Sequence, residues 1–157
     1  MKRLLLLLAI VYVANATSVR SCRQGVKYLS DDVQITNCTA PPCKLKQKTK
    51  VGVSIKLRPE KDIPFLTTSV FGIILGLPLP FVGVDQTNAC LYMFNPDGSK
   101  AGCPLKAGNE YVYKNEFEIL EIYPKIKVEV LWALNEKPDQ EPERGIHCFK
   151  VQSRITS

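Results

Sequence analysis

The 157-residue chain has a single histidine, His147. No Ser–His or Cys–His nucleophile pair therefore has a choice of base. His147 is followed by Cys148, a cysteine expected to be oxidised and inert, so the imidazole reads as structural or surface. There is no Gly-x-Ser-x-Gly elbow, no zinc-protease helix motif and no phosphate-binding loop. The carboxylates fall on solvent faces of candidate strands or in the 136–143 connector, and nothing sets up a buried acid pair. Zinc sites need Cys and His paired at short spacing, which one histidine does not supply. No metal, no cofactor and no catalytic residue is expected, and the chain reads as a non-enzyme.

Long apolar runs are equally scarce. Leu4 to Val13 is apolar but for Tyr12, follows Lys2 and Arg3, and leads into Ala14-Asn15-Ala16. That run is too short to cross a bilayer, which takes ~20 apolar residues. Its flanks are those of a secretory signal peptide cut after Ala16. Val70 to Val84 is apolar but carries Pro78 and Pro80, and no C-terminal retention or lipidation signal is present. Residues 1–16 are read as signal peptide and 17–157 as one domain, large enough to bury a core. Without Lys2 and Arg3, 19 basic residues stand against 15 acidic ones. So small an excess argues against a nucleic-acid partner and leaves an anionic membrane surface as the natural one.

What the chain does have is cysteine, proline and period-two alternation. Cys22, Cys38, Cys43, Cys90, Cys103 and Cys148 all lie in the mature part, and an even count in an oxidising compartment reads as three disulfides. Spacing alone does not choose among the pairings, although proximity suggests Cys38–Cys43 and Cys90–Cys103, with Cys22 and Cys148 left to tie the ends. Val51, Val53, Ile55 and Leu57 alternate with Gly52, Ser54, Lys56 and Arg58. Tyr111, Tyr113, Phe117 and Ile119 alternate with Lys114, Glu116 and Glu118. Ile126, Val128, Val130, Trp132 and Leu134 form a third series against Lys127 and Glu129. This is the pattern of half-buried strands. Shorter candidates are 26–29, 33–36, 65–75 and 149–155. Many short strands with proline-bearing turns predict an all-β sandwich of two antiparallel sheets. In Phe71 to Phe81 every odd position is a large apolar residue. Pro78 and Pro80 place 77–81 at a sheet edge or off the sheet, where its side chains would line the rim of a gap between the sheets.

Three stretches carry a resemblance. Asn37-Cys38 with Pro42-Cys43-Lys44-Leu45, the run Gly72 to Phe81, and Tyr123-Pro124-Lys125-Ile126-Lys127 with Val130 to Leu134 are similar to the ML family of secreted lipid-recognition domains, and within it to the Niemann–Pick C type-two group. Asn88 to Met93 also resembles the group-two mite allergens, which share the fold. The resemblance covers nearly all of the mature chain. It implies an immunoglobulin-like sandwich whose splayed sheets hold a lipid, with the first cysteine paired to the last and two local loops closed. It implies a sterol pocket with Phe81 at the mouth and Ile119 and Tyr123 against the sterol. Leu45, Val51, Val53, Leu79, Pro80, Pro124, Val130, Trp132 and Phe149 would form the wall. Alternation independently turns Val51, Val53, Ile119, Val130 and Trp132 inward.

The chain departs from the type-two pattern in a longer Cys90–Cys103 loop and in Phe149, where many relatives carry tryptophan. The function expected is sterol binding and transfer by a secreted monomer, with the lysosomal lumen as a second destination. The alternatives are a carrier of fatty acids or semiochemicals and an innate-immune lipid co-receptor using the 91–102 loop. Asn37-Cys38-Thr39 is an N-glycosylation sequon. Lys44, Lys46, Lys48 and Lys50, with Lys56 and Arg58, form a candidate basic stripe for anionic lipid.

Overall fold

The structure, a computed structural model, describes residues 16–25 and 32–157. The signal segment up to residue 15 and the candidate strand 26–29 lie outside the described residues. The strands are β1 (Arg20–Ser21), β2 (Val33–Ile35), β3 (Cys43–Lys46), β4 (Lys50–Leu57), β5 (Thr67–Ile74), β6 (Leu77–Pro80), β7 (Met93–Phe94), β8 (Tyr111–Glu118), β9 (Lys127–Asn135) and β10 (His147–Thr156). Two short 3-10 helices, Ala89–Tyr92 and Pro142–Arg144, are the helical segments among the described residues.

Two sheets pack face to face. The larger has the order β1-β10-β9-β5-β6, with β3 also on β10, and the smaller has the order β2-β4-β8-β7. All pairs are antiparallel except β3 with β10. Alternation explains the layering. Val51, Val53, Ile55 and Leu57 on β4 and Tyr111, Tyr113 and Phe117 on β8 are buried on the inner face. Outside, Lys50 stands opposite Glu118 and Ser54 opposite Lys114, the cross-strand polar pairing a solvated face favours. Gly52 breaks the outer row because Thr36 lies over it: a Cβ there would fall 2.6 Å from Thr36 Oγ1.

The disulfides are Cys22–Cys148, Cys38–Cys43 and Cys90–Cys103. Cys22–Cys148 lies outside the larger sheet. With Phe71 and Ile73 it covers Leu131 and Ala133, which explains why β9 is apolar on both faces.

Of the two places expected for 77–81, a sheet edge or off the sheet, the structure shows the edge: β6 ends the larger sheet, and the 71–81 stretch reverses to form it. Leu75 (φ 51°) and Gly76 (φ 80°) make a two-residue turn, and β6 folds back on β5 with Ile73 opposite Pro78 and Phe71 opposite Pro80. Positive φ at both central positions matches the twist of a tight hairpin. Leu75, at the turn, is 99% exposed, and Leu79, on the edge strand opposite Gly72, is 52% exposed. The prolines are tolerated because β6 is an edge strand.

His147 begins β10 and is buried, its ring 6.2 Å from that of Phe149. Burial, with Arg23 as the lesser cause, holds its pKa down to about 4. The unfolded imidazole titrates near 6.5. A depressed pKa in the folded state means that stability is complete above pH ~6.5 and is lost as pH falls toward 4, by up to about 3 kcal/mol. Urea denaturation across this range checks it. His147→Gln should flatten the pH dependence, whatever it does to stability at neutral pH.

Candidate functional site

The inner faces meet at an apolar gap. Ile35, Leu45, Val51, Val53 and Phe117 border it together with Val130, Trp132, Phe149, Val151 and Ser153. Of the wall positions expected from the sequence, Leu45, Val51, Val53, Val130, Trp132 and Phe149 lie on this gap. Phe117 was visible in the alternation as inward-facing, and Ser153 occupies an inward position of β10, but neither was singled out. The gap is nearly closed, with about 10 Å³ of space, room for roughly one water molecule.

An aromatic series runs from the surface to this gap. Tyr123 lies 5.3 Å from Phe81, Phe81 lies 5.8 Å from Phe117, and Phe117 lies 5.4 Å from Trp132, all between ring centroids. Phe81 is only 4% exposed. Its backbone is not held off the sheet, since its N–H donates to Val70 O at 2.9 Å. Gly72 makes room for the ring: a Cβ there would fall 3.2 Å from Phe81 Cε2 and 3.0 Å from Val128 Cγ2. Tyr123 is half-buried, and its hydroxyl accepts from Val82 N–H at 2.9 Å, which ties the 120–123 turn to the end of the hairpin. Burial raises the pKa of this phenol.

The remaining expected residues fall elsewhere. Ile119 is fully buried and pinned beyond β8, its N–H on Thr49 O and its C=O accepting from Lys48 N–H; it does not border the gap. Leu79, Pro80 and Pro124 are exposed and do not border the gap: the first two lie on the edge strand β6, and Pro124 lies between β8 and β9. Leu75, Leu77, Val82 and Ile122 are likewise exposed, Ile122 at 78%.

The basic stripe is also redistributed. Lys44 and Lys46 lie outside the larger sheet and Lys50 outside the smaller one, while Lys48 pairs with Glu121 and Arg58 with Glu110. A different basic row does form, since Lys44, Arg154 and Lys127 are level on β3, β10 and β9.

Other concave surfaces are polar. A groove of about 840 Å³ at the far end is lined by Arg23, Lys61 and Arg144 against Glu60, Glu110 and Glu136, charges of both signs. A groove of about 660 Å³ crosses the outside of the smaller sheet, with Asn37 among its lining residues. The 91–102 loop is folded on itself, with Phe94 bridged to Lys100 and Asn95 N–H on Ser99 O. No cluster of His, Cys, Asp or Glu able to hold a metal occurs among the described residues.

Phe81 is as buried as any core residue, against the slack packing a preformed pocket would give it. Phe81→Ala is therefore expected to cost ~3–5 kcal/mol. Gly72→Ala, which crowds the same ring, is expected to cost ~1–3 kcal/mol. Chemical denaturation of both variants checks this.

The comparisons with known proteins agree with this architecture. A family model described as ML domain matches residues 16–155. The ecdysteroid-regulated 16 kDa protein of Manduca sexta is 36% identical over 119 residues, covering 74% of this chain and 72% of that protein. The NPC intracellular cholesterol transporter 2 of Sus scrofa is 29% identical over 98% of this chain and 95% of its own length. A crystal structure of a Niemann-Pick type C2 protein from Japanese carpenter ant superposes with a TM-score of 0.67 at 27% identity, covering 88% of this chain and 99% of that one. Chicken MD-1, solved in complex with lipid IVa, gives a TM-score of 0.52 at 18% identity over 87% of each chain, a likeness of fold. With the disulfide-stapled sandwich and a match across nearly its whole length, the chain belongs to the ML domain family.

Proposed function

We propose that the protein binds one sterol-class lipid between its two sheets and transfers it between membranes, as a carrier and not a catalyst, in the extracellular fluid or the lysosomal lumen. The observation that carries this reading is the gap itself, walled by Val51, Val53 and Phe117 on one side and Val130, Trp132 and Phe149 on the other. At about 10 Å³ it is far below the ~300–1,000 Å³ of a small-molecule site, so lipid entry requires the sheets to part. Parting them around a sterol exchanges wall-to-wall contact for wall-to-lipid contact. The protein's apolar surface stays out of water, and the lipid's own surface is removed from it at ~25 cal/mol per Å². The likeness to a Sus scrofa protein named as an intracellular cholesterol transporter supports the same reading. Phe149, a smaller ring than the tryptophan of many type-two proteins, favours a reshaped pocket, and a fatty-acid carrier is the second reading.

The exposed tip supplies the membrane contact. Leu75 and Leu77 at the hairpin turn are exposed apolar side chains at one end of β6, and Val82 and Ile122 are exposed ones at its other end, where Val82 N–H meets the Tyr123 hydroxyl. Antiparallel register places the turn level with the start of β9, where the Lys44–Arg154–Lys127 row lies. Basic residues near an anionic bilayer contribute ~1 kcal/mol each, and a leucine inserted among acyl chains ~1.5–3 kcal/mol. Asn37, exposed in the turn after β2, would carry its glycan on the opposite side, outside the smaller sheet.

Displacement of a fluorescent sterol by cholesterol and by oleate tests the ligand class. Cholesterol should compete well and oleate weakly; the reverse order would establish the fatty-acid reading. Leu75→Asp with Leu77→Asp should slow sterol transfer to anionic vesicles by roughly tenfold or more while leaving affinity in solution unchanged. Equal transfer rates would remove the tip from the docking surface.

A further inference from the structure

The walls of the gap are apolar except at two points. Trp132 and Ser153 are each 1% exposed and border the gap, yet neither Trp132 Nε1 nor Ser153 Oγ has a hydrogen-bond partner. Native interiors leave few polar atoms in this condition, because each one destabilises the fold. A buried water does not account for both. Such a water needs two to four polar partners, and the two residues are far apart. Trp132 is opposite Phe149 on β10, and Ser153 lies four residues farther along that strand, about 13 Å away at ~3.3 Å per residue.

The two points lie at different depths. Ser153 pairs with Val128, the residue that flanks Gly72 beside Phe81, so it is near the entrance. Trp132 lies farther in, its ring 6.1 Å from Tyr113. Indole N–H only donates, whereas a serine hydroxyl donates and accepts. The fitting occupant is a rigid lipid with an acceptor oxygen at its inner end and a hydroxyl or carbonyl toward the entrance.

We infer, on the sterol reading above, that the gap selects a sterol oxygenated at both ends, its side-chain oxygen accepting from Trp132 Nε1–H and its ring hydroxyl bonded to Ser153 Oγ. The slim side chain passes between Phe81 and Phe117 first, which brings its oxygen to Trp132 and leaves the ring hydroxyl at Ser153. A sterol lacking the inner oxygen leaves the indole N–H unpaired and binds more weakly. A fatty acid, with one polar end, satisfies only one of the two points.

Competition against a bound fluorescent sterol tests this with cholesterol, a side-chain-hydroxylated cholesterol and oleate, on the full secreted chain and on Trp132→Phe and Ser153→Ala. The hydroxylated sterol should outcompete cholesterol by roughly tenfold, about one hydrogen bond's worth. Trp132→Phe should erase that preference even if it weakens both ligands. Ser153→Ala should weaken both sterols alike and keep the preference. Equal affinity of the unmodified chain for the two sterols, or tighter cholesterol binding, overturns the inference while leaving the sterol reading intact. If neither sterol displaces the probe and oleate does, both fall together.

Discussion

The structure depends on an asymmetry between two kinds of cohesion. Within each sheet the strands are joined by directional backbone hydrogen bonds, eight residue pairs between β4 and β8 and eight between β9 and β10. Between the sheets, the inner faces of these four strands meet through side-chain contact. Hydrophobic contact is non-directional and depends on area, not on angle. The sheets can therefore separate around a guest without breaking a ladder, provided the guest is as apolar as the faces it parts. Cys38–Cys43 joins the turn after β2 to β3, so one edge of the smaller sheet is fastened to the larger. The Phe81–Tyr123 end is closed by rings and by one Tyr123–Val82 hydrogen bond. Opening is cheapest where the closure is aromatic contact rather than a covalent bond.

Much of this was legible in the sequence because period two is an unambiguous signal when one face is buried and the other charged. The inward faces of β4 and β9 followed from that alternation alone. The hairpin was not legible for the same reason. From Phe71 to Phe81 the apolar residues stay at odd positions through the Leu75-Gly76 turn, so periodicity gives no sign that the chain reverses. A leucine at positive φ, at the first position of a tight turn, is a poor turn signal. Leu79, Pro80 and Pro124, which the resemblance and not the alternation sets in the wall, are exposed. The basic residues divide for a related reason: Lys44 and Lys46 belong to one sheet and Lys50 to the other, and sequence proximity does not survive a change of layer. His147 reads as structural from its solitude, but its burial at the head of β10 comes from the inward parity of that strand.

The exposed tip and the unpaired polar atoms are two sides of the same functional account. Natural sandwiches bury large apolar side chains and pair buried polar atoms. This one exposes Leu75, Leu77 and Ile122 and leaves Trp132 Nε1 and Ser153 Oγ unpaired inside. Departures of this kind concentrate at functional sites. A bilayer would cover the first set during transfer, and a bound lipid would pair the second.

The central claim is that lipid enters between the sheets by parting them. The distance between spin labels at Ser54 on the outside of β4 and Gln152 on the outside of β10, measured with and without a saturating sterol, tests it most directly. Both positions face away from the gap, and their separation reports the spacing of the layers. An increase of several ångströms on sterol binding is the result the account predicts. Sterol bound with the label distance unchanged would contradict it, and would place the ligand on the surface of a sandwich that stays closed.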